Sequence, residues 1–598
     1  MKTLFLILIF VSTKCVSQIY FSPNAIMFVK NEVLFVQQDI NLSSNSNLFL
    51  RNNAQLLQGT TGTSNNTGLG VISVYQEGTS DNYDYNYWCS PVGNASAAYG
   101  NENFGITMLG RPTTSIATAP AIILPVSNYD GISNPLSISS KWIYKLLNAN
   151  NYSQWIFVGG TMTLAPGEGF SMKGTSGTDN ADPELSGVTN NPGGAQRYDF
   201  RGKPNDGNIS ISLGINSATL TGNPYPSALH LNAFLLDPAN TATGGIAYFW
   251  EQDKTVDSHK LINYRGGYGS YSPVDLTSSG VYVPATFDSY NANASLNTTG
   301  TSSGLMINRR YSPIGQGFVI NATANGTATF KNAHRVFITE SVGSSKFEKH
   351  IAAEKNNEKG KTTEEVVKEV SHFKLNTIIN NQFTRQLALV FHPQATDSVD
   401  LGIDALNLDD AFPNDVSFWL ENAGYVIQGV NYDETKKIPL IVKATTSSTF
   451  KFYIPEVINF DNSQPVYIYD DLDQSYHDIK NNSYEVLVGP GTYSDRFKIT
   501  FNKQLTLNVG SESTKEFYIT HNNNSSNLKA FNPNSLGLKS FKLYDILGKV
   551  VLSKKDLGTE QNYIFSTSGL SSGIYIAEFL SNDNDRFTEK IIISNFDK

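Results

Sequence analysis

Short apolar runs of strand length, separated by turn residues, follow one another along most of the chain. Residues 387–391 and 466–469 are two such runs, rich in Val, Ile, Phe, Tyr and Leu, and Asn, Ser, Thr or Gly stands between runs. Such residues favour strands, and polar turn residues end them. Only 16% of the residues are charged, which is typical of all-β modules with many turns. We therefore predict an all-β protein of tandem β-sandwiches with a small C-terminal β-sandwich.

The beginning of the chain has the pattern of a secretory signal peptide. Lys2 supplies the positive charge, and residues 4–11 form an apolar stretch that is too short to span a bilayer. Small residues lead to Ser17, so we predict cleavage between Ser17 and Gln18. An acylated Cys15 is the alternative, which the residues before it disfavour because they are not small.

Cleavage after Ser17 leaves Cys89 as the one cysteine of the processed chain. An intramolecular disulfide is then excluded, although an exported protein meets oxidising conditions. No later apolar run approaches the roughly 20 residues of a transmembrane helix. The chain has 44 basic and 53 acidic residues, a net charge of −9. Without clustered Lys and Arg, nucleic acid is not expected as a partner.

Three apolar blocks stand at the end of the sequence: FKLYDILGKVV from 541, LSSGIYIA from 570 and KIIIS from 590. Gly548 stands where a tight turn between two strands requires a positive φ. In this order the blocks resemble the type A C-terminal sorting domain of the type IX secretion system. The positions that match the family pattern are Gly548, Lys549, Gly573, Tyr575 and Lys590.

The resemblance implies a route of export and says nothing about a biochemical activity. Proteins with this sorting domain pass through the periplasm and cross the outer membrane. The implied partners are the type IX translocon and a sortase-like peptidase that removes the domain. The remainder is then attached to surface lipopolysaccharide or released, so we expect a secreted or cell-surface protein.

Two further patterns concern the organisation of the chain. Short strands between residues 25 and 57 fit either the stacked rungs of a β-solenoid or the edge of a sandwich. Gly-Glu-Gly-Phe at 167–170 and Gly-Gln-Gly-Phe at 315–318 each follow an aromatic-proline loop, which indicates two related units. We attribute these glycines to a bulge or a close backbone approach, because no helix or Lys-Ser follows to make a phosphate loop.

These observations divide the chain into eight predicted segments. They are a signal peptide (1–17), a strand-rich segment or short β-solenoid (18–82), two sandwich units (83–215 and 216–343), a charged linker (344–371), a further sandwich (372–504), a flexible approach (505–530) and the sorting domain (531–598).

Short catalytic motifs are absent from the sequence. None of the eight histidines stands in a zinc-protease pattern, and there is no Gly-x-Ser-x-Gly elbow. Cys89 has an aromatic setting typical of a buried structural cysteine. A pair of carboxylates for glycoside hydrolysis has no short signature, so a carbohydrate-active hydrolase stays open as the alternative function.

Two sets of residues are candidates for binding. Aromatic residues alternate with polar residues up to Tyr87, and a tryptophan follows directly. This pattern suits stacking on sugar rings but more often forms a sheet face. The aromatic residues are Tyr83, Tyr85, Tyr87 and Trp88. Carboxylates around a glycine could hold a structural Ca²⁺, although an Asx turn is the simpler interpretation; these are Asp397, Asp400 and Asp404. We predict a non-catalytic binding, adhesion or surface-structural protein, with surface glycan or lipopolysaccharide as the expected ligand and no other cofactor.

Overall fold

The computed structural model consists almost entirely of β-strands, which confirms the predicted all-β class. It describes residues 18–287, 289–290, 296–298, 308–340, 368–408, 412–503, 517–523, 525–532 and 535–594. The helical elements of this part are the α-helix Leu231–Leu235 and the 3-10 helices Ile106–Met108, Ser140–Trp142, Tyr152–Gln154, Pro238–Thr243, Leu261–Asn263 and Asn332–His334. The chain divides into two compact units, Met1–Asn502 and Lys503–Lys598.

The first strands stack in parallel, one rung on the next. Ile19 lies opposite Ile40, and Val33 lies opposite Gln55. Leu and Phe side chains fill the narrow interior between rungs, and Leu48 is fully buried there. Parallel stacking of this kind is typical of β-solenoid rungs, and the predicted short β-solenoid stays a prediction. The stacked strands are Ile19–Phe21, Ile26–Lys30, Val33–Val36, Ile40–Leu42, Asn47–Arg51 and Gln55–Gln58.

Two of these stacked strands belong to a seven-stranded sheet of mixed direction. Its order is Thr118–Pro120, Leu109–Pro112, Arg197–Pro204, Val71–Glu77, Asn47–Arg51 and Ile26–Lys30, with Val92–Gly93 paired beside Arg197–Pro204. Two four-stranded sheets lie in the same part of the chain. One has the order Ile122–Leu124, Ser137–Ser139, Gly131–Ile132 and Thr175–Ser176, and the other Ile156–Phe157, Tyr144–Lys145, Gly169–Lys173 and Tyr85–Cys89.

The next part contains a five-stranded sheet with smaller sheets around it. Its order is Ser217–Gly222, Gly317–Ala322, Ala247–Gln252, Gly266–Ser272 and Val281–Val283. The smaller sheets are the pairs Ile209–Leu213 with Gly326–Phe330 and Ser289–Tyr290 with Leu296–Thr298, and the triplet Tyr311–Ser312, Ala228–His230 and Arg335–Val336.

The two Gly-x-Gly-Phe patterns occupy equivalent strand pairs. In the first, Gly169 lies opposite Cys89 in an antiparallel pair. In the second, Gly317 lies opposite Gly222, also in an antiparallel pair. In each case the aromatic-proline loop begins directly after the partner strand. The repeated sequence pattern therefore corresponds to a repeated pairing of strands.

These strand pairs approach each other backbone to backbone. A Cβ atom on Gly169 would lie 2.7 Å from the carbonyl oxygen of Thr221, which belongs to the second pair. A Cβ atom on Gly317 would lie 2.6 Å from the carbonyl carbon of Tyr87, which belongs to the first pair. Real Cβ contacts of this length with backbone do not occur, so both glycines mark a close approach, as expected from the sequence.

An eleven-stranded sheet follows. Its order is Ser475–Asp478, Tyr467–Asp470, Gly491–Thr500, Lys437–Ala444, Asp415–Leu420, Ala423–Val430, Phe383–Phe391, His372–Ile379, Ser448–Ile458 and Tyr484–Val488, with Ala405–Leu406 beside Ala423–Val430. Its buried face shares one hydrophobic core with Tyr87, Leu220 and Val319 from the earlier sheets. This hydrophobic core therefore contains residues from both sides of the predicted linker 344–371. Most of the linker lies outside the described residues. The domain boundaries stay a prediction.

The C-terminal unit is a separate small β-structure with its own core, which includes Phe541 and Phe579. One sheet has the order Tyr518–Asn522, Asn527–Phe531 and Asn562–Ser566. The other has the order Val550–Gly558, Leu538–Asp545, Gly573–Ser581 and Arg586–Ile593, all antiparallel.

Candidate functional site

Aromatic rings surround the amine of Lys173 at the end of the strand Gly169–Lys173. Lys173 lies opposite Tyr85 on the neighbouring strand. Its Nζ lies 4.4 Å from the ring centroid of Trp142, 4.6 Å from that of Tyr264 and 5.0 Å from that of Tyr85. Only 3% of the Lys173 surface is exposed. Rings on several sides stabilise an ammonium through cation–π attraction while they exclude water from it.

The same amine ends a chain of polar contacts that reaches the surface. Lys173 Nζ donates to the Tyr264 hydroxyl at 2.7 Å and lies 3.2 Å from His259 Nδ1. His259 Nε2 lies 2.8 Å from Asp130 Oδ1. The arrangement is satisfied when the imidazole is neutral, with Nε2 donating to Asp130 and Nδ1 accepting from Lys173. Asp130 is half exposed, so these polar contacts connect a buried amine to a carboxylate in contact with solvent.

The outer side of this cluster carries stacked rings. His259 stacks on Trp142 with centroids 5.2 Å apart and an interplanar angle of 18°. Tyr83 lies 4.8 Å and Tyr129 lies 5.7 Å from the same imidazole. The Trp142 indole N–H donates to the Tyr129 carbonyl at 2.7 Å, which holds the two residues together. Because 45% of Tyr129 is exposed, the stack presents an aromatic edge to solvent.

Two opposite charges in this region have strongly shifted pKa values. Burial lowers the pKa of Lys173 to about 7, against the attraction of Asp84, Asp81 and Asp130, which raises it. Burial also raises the pKa of Asp84 to about 7, and the like charge of Asp81 adds to that rise. Asp84 Oδ1 has no hydrogen-bond partner among the described residues. Near neutral pH the region therefore holds a buried acid and a buried base that both exchange protons.

The aromatic residues predicted from the sequence separate into two groups. Tyr83 and Tyr85 belong to the cluster around Lys173 and His259. Tyr87 and Trp88 are buried, with 4% and 1% of their surfaces exposed. Tyr87 lies in the core that it shares with the eleven-stranded sheet, and Trp88 packs in the core of the first sheets. Of the four predicted residues, Tyr83 and Tyr85 therefore stay candidates for stacking on a glycan, as members of the cluster that also contains Tyr129, Trp142 and His259.

Sequence reasoning missed most of this site. The missed residues come from separate loops and strands, and no spacing rule connects them: Tyr129, Trp142, Lys173, His259 and Tyr264. Only the aromatic richness of the chain, with 30 Tyr and 34 Phe, hinted that such a cluster exists.

The acidic residues of the calcium prediction lie in one loop. Asp404 accepts from the backbone amides of Asp400 and Gly429, each at 2.6 Å. Asp400 accepts from the backbone amide of Thr396 at 2.5 Å, and Asp397 pairs with Lys436. No three His, Cys, Asp or Glu residues in the described ranges are grouped to hold a metal ion. These contacts stabilise the loop, and calcium binding stays a prediction.

The hairpin of the sorting domain has the expected turn. Gly548 has a φ of 78°, and nothing lies within 4 Å of the position that a Cβ atom would take. The Asp545 carboxylate accepts from the backbone amides of Leu547 and Lys549 at 3.0 and 2.9 Å. A positive φ and an Asp that bonds the turn are what this tight connection requires.

The other sorting-domain positions lie on the next two strands. Gly573 begins the strand Gly573–Ser581, and Tyr575 is buried, with its hydroxyl donating to the Ser571 carbonyl at 2.8 Å. Lys590 lies opposite Ile576 and is exposed. Of the predicted cleavage site, Gln18 is the first described residue, and Ser17 lies outside the described residues together with Cys15.

Cys89 is fully buried and is the free cysteine of the described residues. Burial raises the pKa of its thiol, which makes it unreactive. No helix in the described part of the chain has the length and apolar character needed to cross a membrane.

Two family models match the chain. The family described as a domain of unknown function (DUF8693) matches residues 123–501, more than half of the chain. The secretion system C-terminal sorting domain matches residues 513–594. No curated protein matches the chain. The second match confirms the predicted sorting domain, and with it secretion by the type IX system to the cell surface.

Most residues of the Lys173 cluster, from Tyr129 to Tyr264, lie inside the first matched range, while Tyr83 and Tyr85 precede it. The sorting domain coincides with the separate C-terminal unit. The chain therefore belongs to the family of the domain of unknown function DUF8693, in a member that carries a type IX secretion sorting domain.

Proposed function

We propose that the exported part of this protein is a non-catalytic glycan-binding protein at the cell surface. The observation that supports this is the aromatic stack of Tyr129, Trp142 and His259, in which Tyr129 is exposed, beside a series of polar groups that reaches the surface. The apolar faces of sugar rings pack on aromatic side chains, and the sugar hydroxyls bond to nearby carboxylate, imidazole and amine groups. Surface glycan, including lipopolysaccharide, is the proposed ligand.

The charge of the site favours a sugar over a nucleic acid. The two basic side chains that contact the rings, Lys141 and Lys173, do not form a continuous basic track. Binding of single-stranded nucleic acid needs aromatic rings together with a positive groove along the backbone. The net charge of the chain is −9, and the described residues around these rings do not supply such a groove.

A glycan array probed with the chain from Gln18 onward tests the proposal. We expect binding to at least one glycan class and a loss of about fivefold in affinity for Tyr129→Ala, because one stacking ring contributes about 1 kcal/mol. Tyr99→Ala is the matched control, since Tyr99 is 73% exposed and lies outside the cluster. An array without any bound glycan, or equal affinity of Tyr129→Ala and the parent protein, would contradict the proposal.

A hydrolase is the second candidate, and one observation favours it. Asp84 keeps its proton up to about pH 7, and Asp130 presents a half-exposed carboxylate close to the same lysine. Glycoside hydrolysis uses a raised-pKa acid and a second carboxylate. Release of reducing ends from a bound glycan, lost in Asp84→Asn, would support the hydrolase; binding without release supports the non-catalytic function.

A further inference from the structure

The four-stranded sheet of the C-terminal unit has an outer side that is apolar at one end. Side chains of a strand alternate between the two sides of a sheet. Tyr575 points into the core of the unit, so its neighbours Ile574 and Ile576 point outward. Ile592 lies opposite Ile574 on the next strand, and 58% of its surface is exposed. The outer side of an antiparallel sheet is normally polar, so this end of the sheet is unusual.

The apolar surface continues to the hairpin at the same end of the sheet. Tyr544 lies opposite Ile576 on one side and opposite Val550 on the other. Residues that lie directly opposite each other are about 5 Å apart, so their side chains form one connected surface. Ile546 and Leu547, at the tip of the hairpin, are 75% and 88% exposed. We call this surface the apolar face, and its residues are Tyr544, Ile546, Leu547, Val550, Ile574, Ile576 and Ile592.

Two lysines border the apolar face. Lys590 lies opposite Ile576 and points to the same side of the sheet, and Lys549 follows the turn glycine of the hairpin. Both lysines are exposed. The Asp545 carboxylate of the same hairpin accepts from backbone amides of the turn. Positive charges beside an apolar surface favour a partner with carboxylates around an apolar groove.

The glutamates nearest to Lys590 on this sheet do not neutralise it. Glu578 accepts from the Tyr544 hydroxyl at 3.1 Å, and it lies 3.6 Å from the Arg586 guanidinium. Glu589 precedes Lys590 on an edge strand and therefore points to the opposite side of the sheet. These two carboxylates thus leave the charge of Lys590 to a partner.

We propose that the apolar face is the surface by which the folded sorting domain docks on a protein of the type IX export machinery. The match to the sorting domain gives this unit a role in recognition by that machinery. A large exposed apolar surface bordered by charge is typical of a protein–protein interaction site. The partner should offer an apolar groove with carboxylates at its edge. This inference is independent of the proposed glycan surface and does not rest on it.

The other sheet of the unit provides a comparison within the same domain. Ile564 is 60% exposed there, but the residues that point to the same side of its strand are Asn562 and Ser566. Lys529 lies opposite Ile564 and is exposed as well. Single exposed apolar residues among polar ones are normal on a protein surface. Ile564 and Lys529 are therefore matched controls for Ile592 and Lys590.

Pulse-labelled export of the full-length protein from cells with type IX machinery tests the proposal. Ile592→Thr keeps a β-branched residue on the strand but removes apolar contact area, so the exported fraction should fall about tenfold. Ile564→Thr should be exported like the parent protein, because Ile564 lies outside the apolar face. Equal export of Ile592→Thr and Ile564→Thr would overturn the proposal.

Reversal of charge tests the border of the apolar face. Lys590→Glu should lower the exported fraction about fivefold, because it places a negative charge against the carboxylates of the partner. Lys529→Glu makes the same change on the other sheet and should leave export unchanged. Export of Lys590→Glu at the level of Lys529→Glu would contradict a partner with carboxylates at its edge.

Two measurements on the purified full-length proteins separate docking from other causes. Hydrogen exchange of the strands between residues 538 and 593 should be the same in the parent, Ile592→Thr and Lys590→Glu, because only outward side chains change. Faster exchange in each variant that loses export would make misfolding the cause and overturn the proposal. Sedimentation of a parent dimer that Ile592→Thr dissociates would show that a second copy covers the apolar face, and it would overturn the proposal as well.

Discussion

Burial and nearby carboxylates have opposite effects on the pKa of Lys173. Burial among the rings of Trp142, Tyr85 and Tyr264 disfavours the ammonium, while carboxylates nearby favour it, and the pKa falls to about 7. The unfolded chain holds this proton up to about pH 10.4. Between these two values unfolding takes up a proton, so stability must increase as the pH rises.

We therefore predict that Lys173→Met removes a pH dependence. From pH 7 to 9.5 the parent protein should gain stability, by at most about 1.4 kcal/mol per pH unit for one proton, and the variant should lack that gain. Urea unfolding followed by tryptophan fluorescence measures it. All five tryptophans precede residue 503, so the signal reports on the first unit.

Lys141→Met is the control, because Lys141 packs over Tyr129 at a partly exposed position. It should keep the pH dependence of the parent protein. Asp84 acts in the opposite direction at lower pH: its folded form holds a proton up to about pH 7, so it makes stability fall from about pH 4 to 7. An unchanged rise above pH 7 in Lys173→Met would contradict the lowered pKa of this lysine.

At the scale of elements, the paired strands around Gly169 and Gly317 determine how the sheets meet. Each glycine leaves room for the backbone of the other strand pair. A side chain at either position would push against main-chain atoms, which cannot rotate away as a side chain does. These glycines thus matter for packing between sheets more than for the conformation of their own strands.

Gly317→Ala is expected to destabilise the first unit by about 1–3 kcal/mol or more, because its Cβ would lie 2.6 Å from the Tyr87 carbonyl carbon. Urea unfolding by tryptophan fluorescence gives the difference. Gly105→Ala is the matched control: its backbone φ is −122°, and its nearest neighbour would be Thr107 Oγ1 at 3.5 Å. Equal stability of the two variants would argue against a close backbone approach at Gly317.

Elements with a local cause were the ones that the sequence could predict. Gly548 has the positive φ that its turn requires, and the paired glycine patterns lie where backbones meet. The burial of the aromatic residues between Tyr83 and Trp88, in contrast, depends on residues that are distant in sequence. Tyr85 and Tyr87 point to the same side of one strand, yet Tyr85 borders the Lys173 cluster, while Tyr87 is covered by Trp250 and by residues of the later core.

At the scale of the whole molecule, the sorting domain and the proposed binding site belong to different units. The sorting domain lies in the unit that begins at Lys503, and the aromatic cluster lies in the unit before it. Sequence blocks identified the sorting domain because its signal is contiguous. The aromatic cluster combines residues between positions 83 and 264, so only the folded chain brings them together.

Removal of residues 503–598 is predicted to stop export while the first unit still folds. Immunoblots of the culture medium, the cell surface and the periplasm should show the truncated protein in the periplasm alone. Full-length Tyr99→Ala, altered at an exposed site of the first unit, should reach the exterior like the parent protein. Tryptophan fluorescence of the truncated protein checks its folding. Normal amounts of truncated protein outside the cell would contradict the sorting function.

The mutual approach at Gly169 and Gly317 also limits how this protein can evolve. Recombination could replace one strand pair with a segment that has a side chain at the position of Gly169 or Gly317. That side chain would collide with the main chain of the other strand pair. Such hybrids should fold poorly, so we expect the two strand pairs to be inherited together.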